Sequence, residues 1–169
     1  MNLIFQGGWS WPARILLSAA HEACMNTTLG TIETMTGSSQ LITAPQAAAL
    51  VGDALSAGNS DLAIRQLTEA IARLIESKGK NIPADEFAEP ETTGDANYDA
   101  VLAAAFLYAA NICQLDAPSW TKLVPLKELW LWGGDGFESE QYKSLIRSQT
   151  PSEFLERNIL TRPRDWVNA

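Results

Sequence analysis

Eleven consecutive residues, AVLAAAFLYAA from Ala100 to Ala110, carry a single polar side-chain group, the Tyr108 hydroxyl. A helix made of such residues is apolar around most of its circumference, so water cannot be its neighbour on any side. The run is well short of the roughly 18 apolar residues that a membrane span needs. The remaining solution is a helix enclosed by other helices. The pattern predicts that helix over about 96–114, opened by Asp95, whose carboxylate can accept from the first unpaired amides. Val101, Leu102, Ala105, Phe106, Ala109, Ile112 and Cys113 spread around it, and its alanines let neighbouring helices come close. The fold class expected is all-α: a compact helical bundle around this central helix, with an irregular, aromatic-rich C-terminal half.

The flanking sequence supplies partners for it. Thr43 and Gln46 have the spacing of a capping box. A helix is expected from residue 44 until Gly58 stops it. Ser60 is the expected cap of the next helix, in which Ala63, Leu67, Ala70, Ile71, Leu74 and Ile75 recur at three- and four-residue steps. Residues 44–78 thus read as a helical hairpin ended at Gly79. Residues 79–94 hold Pro83, Pro90, Gly94 and several acids, and read as an exposed acidic connection. Beyond the central helix, Pro118 and Pro125 break regular structure and Gly133, Gly134 and Gly136 make a turn. Helix returns over about 139–149. Thr150, Pro151 and Glu153 have the spacing of a second capping box for a short helix after them. No strand-rich region and no internal repeat is evident. In domain terms, residues 43–169 form one helical domain and residues 1–42 an arm or extra helix. The opening NLIFQGG resembles a protease recognition site used for removing tags, with Ile4 where that site prefers Tyr, so no function is read from residues 1–24.

Chemistry-bearing residues are few. His21 is the one histidine, three residues before Cys24; a zinc site would need two further ligands. Cys24 and Cys113 lie too far apart in sequence and are too few to suggest a secreted disulfide scaffold, and free thiols suit a cytoplasmic protein. Asp85, Glu86, Glu89, Glu91, Asp95 and Asp99 crowd one region and supply the acids of an alternative, metal-dependent enzyme, but solvated acids are ordinary in such a connection. WGGDG at 132–136 lacks the Lys-Ser/Thr of a phosphate loop. The reading is therefore of no catalytic residue, no metal and no cofactor.

The formal charge is −8, distributed as −10 over residues 1–142 and +2 over residues 143–169. An acidic body disfavours nucleic-acid binding by this chain alone. A helix-turn-helix use of residues 44–78 is an alternative, weakened by Asp61 at the end of the second helix that would approach phosphates. Tryptophans suit interfaces because they bury large area at little entropic cost, and they suit core plugs equally well. Trp130, Trp132 and Phe137, with Arg162 and Arg164 of the basic tail, are the expected partner-binding residues. One of Trp130 and Trp132 is expected to be partly exposed.

The second half has a particular rhythm: TTGDANYDAVLAAAFLYAA, LDAPSW, LWLW, then TPSEFLERNIL. Thr93, Gly94, Asp95, Asp99, Ala100, Pro118, Trp120, Thr150, Pro151, Phe154, Arg157 and Ile159 carry it. Over roughly 44–169 it resembles a family of small actinobacterial proteins that often carry an Xre-type helix-turn-helix ahead of this region. The resemblance implies the antitoxin or regulator half of a gene pair whose partner has a nucleotidyltransferase-like fold. This chain has no clear Xre domain, so the function expected is non-enzymatic binding and restraint of a protein partner, with no membrane role. A homodimer is compatible with the same reading.

Overall fold

In the computed structural model the chain divides into two units, Met1–Thr36 and Gly37–Ala169. The residues described are 41–83, 85–122, 124–133 and 139–167, all within the second unit. His21, Cys24 and Phe137 lie outside them. The described residues form an all-α bundle of five helices with one minimal sheet.

The first helix, α1 (Ala44–Ser56), begins at the expected capping box: the Gln46 amide donates to Thr43 Oγ1 at 3.4 Å, and the Thr43 amide donates to Gln46 Oε1 at 3.1 Å. It ends at Gly58, whose φ of +70° an L side chain would resist. The second, α2 (Ser60–Glu76), follows as the antiparallel arm of the hairpin. Its cap is Asn59, not Ser60: Asn59 Oδ1 accepts the Leu62 amide at 3.0 Å. Ser60 is already inside the helix, and asparagine one residue earlier provides an equivalent acceptor at the required spacing. Ala47, Val51 and Ala54 of α1 meet Ala63, Leu67, Ile71 and Leu74 of α2, all buried.

The third helix, α3 (Ala96–Ile112), is the enclosed one. Tyr98, Ala100–Phe106, Ala109 and Ala110 are all buried, so nearly every turn is covered all round. Asp95 caps it as expected, Oδ1 accepting the amides of Asn97 at 2.8 Å and Tyr98 at 3.1 Å. Since one carboxylate satisfies two otherwise unpaired amides, Asp95→Ala lowers stability by about 1–2 kcal/mol, measured as a shift of the urea midpoint at unchanged slope. Asp99 fixes the turn before the helix: Thr92 and Thr93 hydroxyls and the Thr93 amide all donate to it at 2.6–2.7 Å. That turn lies against α1 so closely that a Cβ on Gly52 would sit 3.1 Å from the Thr93 carbonyl oxygen.

The C-terminal half wraps α3 with short pieces: a 3-10 turn (Ser119–Thr121), β1 (Trp130–Leu131), α4 (Glu140–Gln149), α5 (Ser152–Leu155), β2 (Ile159–Leu160) and a closing 3-10 turn (Pro163–Trp166). The two strands pair in parallel, Trp130 with Ile159 and Leu131 with Leu160. Rings run along α3 as a continuous ladder. Trp130 meets Tyr98 at 5.4 Å, Tyr98 meets Trp132 at 5.8 Å, Trp132 stacks on Trp166 at 5.3 Å, Trp166 stacks on Phe154 at 4.9 Å, and Phe154 meets Tyr108 at 5.6 Å.

Two further expectations need correction. The Thr150–Glu153 capping box does not form. The Thr150 hydroxyl instead donates toward the carbonyls of Ile146 and Thr161, both at 2.9 Å, joining the end of α4 to the chain after β2. Glu153 accepts from the Asn111 side-chain amide on α3 at 2.7 Å. Tertiary partners outcompete the local box. The segment 79–94 is not simply exposed either: Glu86 and Thr93 are buried and Phe87 is half-buried. Phe87 lies edge-on to Phe106, and its carbonyl accepts the Trp120 indole N–H at 2.9 Å.

Candidate partner-binding face

The residues that carry the sequence rhythm are fasteners of the fold. Asp95 and Asp99 open α3, and Trp120 holds the 79–94 connection. Phe154 and Ile159 are fully buried. Arg157 is buried as well: its Nη2 donates to the Thr121 carbonyl at 2.6 Å and its Nη1 to the Glu153 carbonyl at 2.5 Å, while Nε has no acceptor. Burial lowers the Arg157 pKa, and Glu156 and Glu153 act against that shift. Asp99 is occupied by two threonines and Asp95 by two amides, and among the described residues no three His, Cys, Asp or Glu side chains are grouped as metal ligands. The Cys113 thiol is half-buried and donates to the Leu74 carbonyl at 3.6 Å. Burial raises its pKa, which leaves it a poor nucleophile.

Of the expected partner-binding residues, Trp130, Trp132, Arg162 and Arg164 are described. Trp132 is 7% exposed, flat against Trp166 in the core, and cannot reach a partner without the ladder opening. Trp130, 5.7 Å away, is half-buried and presents the remainder of its ring outward. Arg162 is bound to Asp165: its Nη2 donates to Oδ1 at 3.1 Å, and its amide and Nε donate to Oδ2. Arg164 is exposed. Trp132 and Arg162 line one small cavity of about 80 Å³, whereas Trp130 borders a separate, apolar groove.

That groove, about 760 Å³, lies between the first turn of α3 (Ala96, Asn97, Asp99, Ala100) and the irregular segment Val124–Trp130. Pro125 prevents the segment from joining a helix, and its backbone is held to the chain around β2 at Leu126, whose amide donates to the Arg157 carbonyl at 3.2 Å and whose carbonyl accepts the Asn158 side chain at 2.7 Å, and at Trp130, whose amide donates to the Asn158 carbonyl at 2.8 Å. Leu126 packs against the core, while the two aliphatic side chains that flank it in the segment stay outside. Val124 is 84% exposed and Leu129 41%. Lys127, Glu128 and Asp99 place charges beside them. Sequence reasoning passed over Val124 and Leu129. The available signal was large aliphatic residues in a Pro-broken stretch, where no periodic face exists to bury them.

Among the described residues, no helix is long and apolar enough to cross a membrane. Compared with family models, curated proteins and solved structures, the chain matches none.

Proposed function

We propose that this chain is a non-enzymatic protein that binds and restrains a protein partner through the groove beside Trp130, in the manner of an antitoxin acting on a nucleotidyltransferase-like toxin. The observation that carries the reading is the exposed aliphatic pair Val124 and Leu129 at the rim of a groove floored by α3 and flanked by a half-buried tryptophan. Apolar anchors around a concavity, with charges at the margin, are what a protein interface needs. The aromatic anchoring expected of Trp132 passes to Trp130 and the two aliphatics. The formal charge of −8 favours a partner with a basic face, such as a nucleotide- or RNA-binding surface, and speeds its encounter at low salt.

The test is co-expression with the product of the adjacent gene, followed by co-purification and a growth-rescue assay. A complex and rescued growth are expected; neither complex nor rescue would sink the reading. Val124→Asp with Leu129→Asp weakens the complex at least about tenfold, because each puts an unpaired charge into a desolvated contact. Leu145→Asp on α4, also at an exposed leucine, leaves affinity unchanged. Isothermal titration calorimetry reads both.

A further inference from the structure

The connection between α2 and α3 contains one side chain that contradicts its surroundings. Glu86 is completely buried, and neither carboxylate oxygen has a hydrogen-bond partner. Its backbone is fully engaged: the Glu86 carbonyl accepts the first amide of α1, Ala44 N–H, at 2.8 Å, and its own amide donates to the Pro83 carbonyl at 3.1 Å. The next residue, Phe87, packs on Phe106 of α3 and accepts the Trp120 indole. The stretch Asp85–Pro90 is thus a clasp that ties the start of α1, the middle of α3 and the Ser119–Thr121 turn, and it carries a carboxyl group sealed from water.

A neutral carboxylic acid can be buried without a partner at modest cost, whereas an ionised carboxylate without donors is expelled toward water. We propose that the Asp85–Pro90 clasp is a proton-gated latch, closed over α3 while Glu86 holds its proton and released when that proton is lost. Release would uncover Phe87, Phe106 and Trp120 and free the first amide of α1. The surrounding charges favour the proton. Asp85 is adjacent on the same turn. Neither α1 nor α3 contains a lysine, arginine or histidine, so neither supplies a cation. Lys122, at the end of the Ser119–Thr121 turn, is exposed. From α2 and its end, Arg73, Glu76 and Lys80 face Asp85 across a groove, with Arg73 ion-paired to Glu69, and none reaches the Glu86 oxygens. Desolvation first, and the Asp85 charge second, push the Glu86 carboxyl up to about 7.

The test follows the Trp120 indole N–H and the Ala44 amide by ¹⁵N NMR on the full chain between pH 5.5 and 8.5. In the wild type both resonances shift together with a midpoint near 7. Their exchange protection falls by tenfold or more beyond the intrinsic pH effect. In Glu86→Gln both stay flat across the range. A flat wild-type profile, or a Glu86→Gln profile that follows the wild type, overturns the latch. Should Glu86→Gln fail to fold, Asp85→Asn decides: it moves the midpoint to lower pH, and an unmoved midpoint overturns the proposal.

Discussion

Trp166→Ala is expected to remove about 3–5 kcal/mol of stability, as large-to-small changes at fully buried aromatics do. The indole is completely buried at the far end of the chain, stacked on Trp132 on one side and on Phe154 on the other. Its Nε1–H donates to Thr161 Oγ1 at 3.0 Å, so the site is satisfied as well as filled. Removing the ring leaves a hole in the middle of the ladder, with rigid aromatic walls that cannot collapse into it. Folded domains of this size are stable by about 5–15 kcal/mol, so the loss takes a large share of the whole. Trp166→Phe keeps most of the apolar contact and loses the hydrogen bond, and a penalty of about 1–2 kcal/mol is expected. Urea denaturation followed by circular dichroism at 222 nm separates the two. Equal midpoints for wild type and Trp166→Ala would show that the closing turn is not part of the cooperative core.

That a residue so near the C-terminus completes the core bears on what the sequence could reveal. The helices α1, α2 and α3 were legible because their signals are local: Thr43 with Gln46, apolar spacing in α2, and Asp95 ahead of an all-apolar run. The enclosure of α3 followed from its having no polar face. The short pieces around it were not legible, since their stability comes from partners distant in the chain. Thr150 abandons a well-spaced capping box for Thr161, and Trp130 pairs with Ile159 in a sheet two residues long. No periodicity distinguishes Trp132 in the core from Trp130 at the surface. In sequence Glu86 reads as one more solvated acid because its neighbours are acids; its burial depends on Ala44 and Trp120, which anchor the Glu86 and Phe87 carbonyls. The residues of the second-half rhythm act as caps, fasteners and core, so they speak to the fold more than to the site.

Glu86→Gln is expected to stabilise the protein at pH 8 and to leave it nearly unchanged at pH 4. The sign follows from linkage. Glu86 has an ordinary carboxyl pKa near 4.5 in the unfolded chain and about 7 in the folded one. Between those values the folded state holds a proton that the unfolded state has lost. Stability contributed by this group is therefore fully present below pH 4.5, falls as pH rises through that window, and is flat above about 7. At 1.36 kcal/mol per unit, the fall amounts to about 3 kcal/mol. This is opposite in sense to the usual acid denaturation, in which carboxylates paired in the native state lose stability as pH drops. Glutamine has nearly the same shape and never ionises, so the variant removes the dependence while keeping the packing. The measurement is the difference in urea-derived stability between wild type and Glu86→Gln from pH 4 to 8, which cancels every other titrating group. A gap that opens between pH 4.5 and 7 locates the strain at Glu86. A gap that is constant with pH would mean that the buried carboxyl ionises as it does in water, and that the α2–α3 connection holds a charge the fold has some way to solvate.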